Sequence, residues 1–378
     1  MKKLLKLLPF VIGGLVGWFW IAPLFASYTR HLPLGTVLSI GGLSLFALAL
    51  GYILHIILHE VGHLIGGTLS GYRFISFRVF NQMLVLEKEK LVRKKYTVVG
   101  TLGQCLMSPP EMKNGTFPFV LYNLGGGLMN LLLSALCFWL FWLLSGPWYV
   151  LFLVGAILGV FMGLTNLFPM RIGGLPNDGY NVLQLSKNAT TRHAFWVALN
   201  VNAMMASGSQ ARDIPPAWFD WIDTDRLSDI KDPLTLTIAI LRYNYLLDRL
   251  ELTEARAYLE TLLDSGMPLI ELQKNELRCE RLFFELINEC RPEEVGRLYS
   301  KDLEAYIKAT SIYLSRQRLL YAYARLFTKD DEAAARHLAL FQKAVETSAS
   351  LGEIPGEQEL VALVDRIAGG GNPQSGFA

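Results

Sequence analysis

Acidic residues are almost missing from the first half of this 378-residue chain. Soluble proteins carry charge on about a quarter of their residues, so this half is not typical of a water-soluble domain. The second half has ordinary charge, and we predict two parts: a membrane domain at residues 1–209 and a soluble domain at residues 210–368. The acidic residues before residue 210 are only Glu60, Glu87, Glu89, Glu111 and Asp178.

Cysteine and net charge are also scarce. The four cysteines, Cys105, Cys137, Cys279 and Cys290, include no Cys-x-x-Cys pair. The sequence therefore predicts neither a disulfide framework nor a cysteine zinc site. The net charge of +2 is too small to favour nucleic acid as a partner.

Leu7 to Thr29 contains no Asp, Glu, Lys or Arg, and the same is true of Asn114 to Met170. About 20 apolar residues cross a bilayer core. The first stretch is longer than the apolar region of about 7–15 residues in a signal peptide, so we predict a retained span. The second is long enough for two spans, and Ser145-Gly146-Pro147 divides it. With the apolar run before residue 65, the predicted spans are 7–29, 38–65, 119–144 and 148–168.

Basic residues predict the orientation of these spans. Cytoplasmic loops of membrane proteins are enriched in Lys and Arg, and the connection between the second and third spans is the basic one. The first connection holds only Arg30, and the third holds none. We therefore predict a multi-pass protein of the cell membrane with both termini in the cytoplasm. The basic residues of the second connection are Arg73, Arg78, Lys88, Lys90, Arg93, Lys94, Lys95 and Lys113.

A strand-rich segment follows the second predicted span. Residues 72–80, 83–86 and 96–99 are short runs rich in aromatic and β-branched side chains, a composition typical of strands. We predict a small sheet within residues 71–108 at the cytoplasmic face. An ordinary polar loop is the alternative.

The motif His59-Glu60-Val61-Gly62-His63 ends the second apolar run. Residues i and i+4 share a helix face, so both imidazoles could bind one Zn²⁺, with Glu60 as general base for the attacking water. An unpaired carboxylate inside an apolar segment costs at least ~2.5–3.5 kcal/mol, and a metal centre gives a reason to tolerate it. The alternative is a structural polar cluster at the membrane edge.

A third ligand must come from another segment. His55 shares the helix face, but it lies eight residues before His63, or about 12 Å along the axis, so one ion cannot reach both. Asp178 is the only acidic residue between Glu111 and residue 210, and the predicted topology places it at the same bilayer face as His59. The alternative is that Asp178 caps a helix or forms a turn with the following glycine.

Three motifs in this order resemble those of the site-2 protease family of intramembrane metalloproteases. That family carries His-Glu-x-x-His on one span, Gly-Pro-x-x-Asn on the next, and Asn-x-x-Pro followed by Leu-Asp-Gly on a third. The resemblance covers residues 45–185; Gly127 stands where Pro is usual and Asn177 where Leu is usual. The matching segments are His59-Glu60-Val61-Gly62-His63, Gly126-Gly127-Leu128-Met129-Asn130, Asn166-Leu167-Phe168-Pro169 and Asn177-Asp178-Gly179.

The resemblance implies a zinc endopeptidase that cuts membrane-tethered proteins near the cytoplasmic face, in regulated intramembrane proteolysis or leader-peptide processing. It implies that Glu60 is the catalytic base and that Asn130 and Asn166 hold the substrate backbone or stabilise charge in the transition state. A strand edge beside the site would hold an extended substrate. The implied zinc ligands are His59, His63 and Asp178.

The segment after residue 210 has helical periodicity. Residues 319–344 resemble a tetratricopeptide-type repeat, although an irregular helical bundle is the alternative. No catalytic motif is present there, so we expect docking of a regulatory protein, and we predict a flexible tail at residues 369–378. The predicted helices are 234–250, 253–264, 270–290, 302–327, 331–348 and 358–367.

The fold class predicted from these features is mainly α: a polytopic membrane bundle with a small β insertion and a C-terminal helical domain. A zinc endopeptidase acting on membrane proteins is the leading interpretation. An inactive membrane scaffold that works through its helical domain is the alternative, although the complete set of His59, Glu60, His63 and Asp178 favours an enzyme. The third interpretation is a zinc-dependent membrane hydrolase that acts on non-peptide substrates.

Overall fold

The structure is a computed structural model that describes residues 30–87, 89–98, 101–144, 148–172, 174–220 and 224–371. Across these residues the protein is mainly helical with a small antiparallel sheet, as the sequence predicts. The predicted span at 7–29 lies outside the described residues, as do residues 372–378 of the predicted tail.

Three helices are long and apolar enough to cross a membrane: α1 (Leu34–Leu69), α2 (Val120–Leu143) and α3 (Tyr149–Leu167). They lie where spans are predicted at 38–65, 119–144 and 148–168. Large apolar side chains of α1 are exposed, with Leu45 at 71% and Phe46 at 58%. Such an apolar surface is unfavourable in water and suits a lipid environment.

Contacts divide the chain into two units, and neither is a single segment. Of the described residues, the first comprises 30–55 and those within 131–161. Within it, Ser134 Oγ donates a hydrogen bond to the carbonyl of Ala156 at 2.6 Å, and His55 Nε2 lies 2.9 Å from the carbonyl oxygen of Gly155. His55 is thus bonded to backbone within this unit. The second unit comprises the described residues within 56–130 and 162–371.

The second unit contains the predicted sheet, so the β-rich segment at 71–108 is confirmed. Its strands are antiparallel in the order β3-β2-β1-β4. Cys105 and Met107 of the last strand are buried against Tyr122 and Leu185, and this packing fixes the sheet beside the His-Glu-x-x-His motif. The strands are β1 (Arg73–Val79), β2 (Gln82–Glu87), β3 (Lys90–Lys95) and β4 (Gly103–Ser108).

After α3 the chain forms a two-stranded hairpin, β5 (Arg171–Ile172) and β6 (Leu175–Pro176), and then α4 (Asp178–Lys187) and α5 (Ala189–Ser207). Short 3₁₀ helices follow at Ala211–Asp213, Pro216–Trp218 and Thr224–Asp229. The remaining helices are α6 (Pro233–Asp248), α7 (Leu252–Asp264), α8 (Glu271–Ile287), α9 (Pro292–Leu298), α10 (Lys301–Ala309), α11 (Leu314–Ala322), α12 (Asp331–Thr347) and α13 (Glu353–Ala368).

The C-terminal helices share one apolar core with α5, which contributes Ala194, Val197 and Val201. The sequence predicts one helix at 302–327, and here the structure differs. The chain turns between α10 and α11, where the Tyr313 amide bonds to the carbonyl of Thr310, and a π-helical turn follows at Tyr323–Thr328. The tetratricopeptide-type repeat and the domain boundary at residue 209 stay predictions.

Candidate metal centre

Three side chains from two distant segments meet in the second unit. His59 and His63 lie one turn apart on α1, and Asp178 is the first residue of α4. His59 Nε2 lies 3.1 Å from His63 Nε2. Asp178 Oδ2 lies 3.4 Å from the first nitrogen and 3.5 Å from the second. Within the part of the chain that the structure describes, these three residues form a group whose ligand atoms are close enough together to hold one metal ion.

The environment of Asp178 Oδ2 suits a bound cation. This oxygen is buried and has no hydrogen-bond partner among the residues that the structure describes. A protonated imidazole would supply a counter-charge, but the two Nε2 atoms lie 3.4 and 3.5 Å from this oxygen. These distances exceed the about 2.7–2.9 Å of a charge-assisted hydrogen bond. A buried carboxylate oxygen without a close donor is unfavourable. A metal ion would satisfy all three groups together.

The other nitrogen of each imidazole contacts the second apolar helix. His63 Nδ1 donates to the carbonyl of Tyr122 at 2.7 Å, so its Nε2 presents a lone pair. His59 Nδ1 lies 3.2 Å from Nδ2 of Asn130, a fully buried residue. In this orientation the Asn130 amide donates to Nδ1, and a neutral His59 carries its proton on Nε2. Turning the amide by about 180° exchanges its oxygen and nitrogen; Nδ1 then donates to the oxygen, and Nε2 is available to a metal. Such contacts fix the orientation of metal-binding histidines.

Glycines bring α1 and α2 together at this point. A side chain at Gly62 would overlap the carbonyl of Gly125, and one at Gly125 would overlap the carbonyl of Gly62. A Cβ at Gly126 would stand 2.6 Å from Nε2 of both His59 and His63. The space in front of the imidazoles therefore exists because position 126 has no side chain.

Asn177 places Asp178 and also argues against the capping alternative. The N-cap of α4 is Asn177, whose Oδ1 accepts from the amides of Tyr180 and Met170. Its Nδ2 donates to the carbonyl of Phe168 at 2.7 Å. Because Asn177 supplies the cap, the Asp178 carboxylate is available to the cluster.

Glu60 lies against strand β4. Its carboxylate is mostly buried and accepts a hydrogen bond from the backbone amide of Cys105. A side chain at Gly103 would overlap Glu60 Oε1. Burial raises the pKa of the Cys105 thiol to about 12, so the thiol stays protonated at neutral pH and is not a nucleophile.

Arg78 of β1 fixes the segment that leads into β4. It is fully buried, and its guanidinium donates to the carbonyls of Phe80 and Thr101 at 2.7 and 3.3 Å, to the Thr101 hydroxyl, and to the carbonyl of Gly103. Burial lowers the pKa of Arg78, and the Glu60 carboxylate opposes this effect. Arg78 therefore connects the sheet to the residue predicted to be the base.

Of the two predicted supporting residues, Asn130 and Asn166, the structure brings only the first to the ligand cluster. Asn130 contacts His59, as described. The Asn166 amide donates to the carbonyl of Met162 in its own helix at 2.9 Å, so the structure does not bring it into the ligand cluster. Substrate contacts of both residues stay predictions. Sequence reasoning did not identify Arg78, Gly103 or a structural role for Asn177.

No protein-family model, curated protein or solved structure matches this chain. The role of the centre must therefore be inferred from its own geometry and from its motifs.

Proposed function

We propose that the protein is a multi-pass membrane zinc endopeptidase of the site-2 protease type that cuts membrane-tethered proteins near the cytoplasmic face. The observation that carries the proposal is the meeting of His59, His63 and the unpartnered carboxylate oxygen of Asp178. The nearby Glu60 and the three apolar helices add a base and a membrane setting.

The spacing of the ligand atoms supports zinc. Tetrahedral ligands about 2.0–2.1 Å from an ion stand about 3.3–3.4 Å apart. The separations here are 3.1, 3.4 and 3.5 Å. Three protein ligands leave a fourth position for water or substrate, as in catalytic zinc sites, whereas structural zinc sites have four.

The chemistry divides between the ion and Glu60. Bound zinc would polarise the scissile carbonyl and lower the pKa of the attacking water to about 7. Glu60 takes a proton from that water as its oxygen attacks the carbonyl carbon, and it returns the proton to the amide nitrogen as the C–N bond breaks. The Cys105 amide orients the Glu60 carboxylate throughout. Tyr122 and Asn130 keep the imidazoles in place.

Strand β4 affects how a substrate enters. It is a terminal strand of the sheet, which suits pairing with an extended peptide. At Cys105, however, both backbone groups of β4 already have hydrogen-bond partners. The Cys105 amide donates to Glu60, and the Cys105 carbonyl accepts from the Tyr122 hydroxyl at 2.9 Å. A substrate strand therefore has to pair beyond Cys105 or displace these bonds.

Two conservative substitutions test the proposal. Asp178→Asn replaces an anionic donor with a neutral one of similar shape, so zinc affinity should fall by more than the about 10–100-fold that outer-shell changes cost, and cleavage should be lost. Glu60→Gln should retain zinc, because Glu60 is not a ligand, while cleavage falls about 10²–10⁴-fold. Zinc content and cleavage of a co-expressed membrane protein are measured in the same preparations.

Asp330→Asn and Glu111→Gln are the matched controls, since Asp330 is an exposed helix cap and Glu111 is exposed. Both should behave as wild type. Normal cleavage by Asp178→Asn would refute the third ligand. A cellular phenotype unchanged by Glu60→Gln would favour the scaffold, and a zinc-dependent activity on non-peptide substrates alone would favour the third interpretation.

The orientation is a separate prediction. Reporter fusions after residues 110 and 378 should report the cytoplasm because basic residues flank these points, and a fusion at Pro33 should report the outside. Reversed signals would contradict both the topology and cleavage at the cytoplasmic face.

A further inference from the structure

A cavity of about 360 Å³ lies among the C-terminal helices and shares no lining residue with the metal centre. Its volume falls within the range of about 300–1,000 Å³ that is usual for small-molecule sites. The lining has an apolar part, which includes Met205, Leu247 and Leu360. It also has an acidic part, formed by Glu276 and Glu280 of α8 and by Glu353 and Glu357 of α13. The remaining lining carboxylate, Asp248 of α6, pairs with Arg212 at 3.1 Å.

The charges at the acidic side do not balance. Arg318 bonds to Glu280 at 2.9 Å and to Glu357 at 2.7 Å, and Arg316 pairs with Glu276. Within the described part of the chain, the Glu353 carboxylate makes no side-chain hydrogen bond or ion pair. Four glutamates thus meet two guanidinium groups. A partly buried excess of negative charge is unfavourable without a counter-charge. Glu353 therefore keeps its proton at neutral pH when no cation is bound, because burial and Glu357 raise its pKa to about 8. A cation bound at Glu353 would replace this proton.

A second observation indicates what else a ligand should offer. Arg318 lines the cavity, its side chain is 1% exposed, and its Nη1 has no hydrogen-bond partner among the described residues. A buried guanidinium N–H needs an acceptor. Its other two nitrogens already bind glutamates, so an acceptor from a ligand would complete its bonding. A simple metal cation supplies no such acceptor.

We propose that this cavity binds a small organic cation that also carries a carboxylate or carbonyl oxygen, the chemical class of free basic amino acids. The ammonium or guanidinium group faces Glu353 and neighbouring Glu357, the oxygen accepts from Arg318 Nη1, and the alkyl chain packs on the apolar side. Glu353 also lines a smaller cavity with Lys95 and Tyr96 at the end of the sheet, so the ligand site adjoins the sheet. This inference does not depend on the proteolytic function.

Calorimetric titration of the full chain in detergent tests the proposal with four probes. L-Arginine should bind. L-Citrulline has nearly the same shape without the charge and should bind at least about tenfold more weakly, as should agmatine, which lacks the carboxylate. Equal affinity for arginine and citrulline would overturn the proposal, and so would binding of calcium, the fourth probe, with none of arginine. These comparisons use the wild-type protein and require no variant.

Glu353→Gln adds an independent test. It removes the unpaired carboxylate without changing its shape, so arginine affinity should fall at least about tenfold. Glu332→Gln, an exposed change on α12, is the control and should leave the affinity unchanged. Thermal unfolding in the same detergent checks that both variants are folded. An affinity that Glu353→Gln does not change would place the ligand elsewhere and overturn the proposed site.

Discussion

At the scale of single residues, Gly126 is as necessary to the centre as its ligands. An added Cβ would stand 2.6 Å from both Nε2 atoms, closer than a carbon and a nitrogen can approach without repulsion. Gly126→Ala should therefore displace the imidazoles and reduce zinc content at least about tenfold. Gly42→Ala on α1 is the control, because no atom lies within 4 Å of its Cβ. Full zinc occupancy in Gly126→Ala would contradict this account.

The sequence predicts some of these residues and not others for a physical reason. His59 and His63 are one helical turn apart, so helix geometry alone brings them together. Asp178 could be paired with them only through topology and the family resemblance. The role of Gly126 depends on how closely α2 approaches α1, and that of Arg78 on carbonyls of a loop more than 20 residues away. Spacing along the chain does not encode such contacts.

At the scale of elements, the loop into β4 depends on Arg78. Lysine at this position retains the charge but has one nitrogen, so it cannot reach all the carbonyls that the guanidinium contacts. Arg78→Lys should shift β4 and misorient Glu60, with kcat falling about tenfold or more, KM changing little and zinc retained. Arg93→Lys, an exposed change on β3, is the control. A loss of zinc or a rise in KM alone would contradict a positioning role.

Hydrophobic periodicity predicts which segments form helices better than it predicts where those helices end. The apolar helices and the sheet lie close to their predicted positions because long apolar runs and strand composition are strong local signals. The turn between α10 and α11 contains no Gly or Pro, so the sequence gives no signal that the helix ends there. Beyond that turn, fully buried Arg316 pairs with Glu276 of α8. Tertiary pairing of this kind overrides local helix propensity.

At the scale of the whole molecule, the acidic cavity makes stability depend on pH. Burial and the nearby Glu357 carboxylate raise the pKa of Glu353 from 4.5 to about 8, while Arg318 opposes the shift. The folded chain therefore binds this proton more tightly than the unfolded chain, and stability falls as pH rises from about 4.5 to 8.

Glu353→Gln should remove most of this pH dependence. Because Glu353 is partly exposed and solvent screens its charge, we expect the variant to be more stable than wild type by only about 1 kcal/mol at pH 8.5, and equal to it near pH 4. Urea unfolding of the full chain in detergent at both pH values measures the difference. Parallel curves for the two proteins would show that another group is responsible.

The position of β4 gives a metal ion and a peptide substrate different access to the same centre. The side chains of His59 and Asp178 are 14% and 18% exposed, so a small ion or chelator can exchange there while the fold stays closed. The Glu60 side is covered by Gly103 and Cys105. In the proposed protease, a peptide that displaces the bonds of Cys105 would therefore enter only in the fraction of molecules in which the strand has moved. Metal exchange and proteolysis should then have separate rate limits, and the apparent affinity for a substrate is reduced by that open fraction.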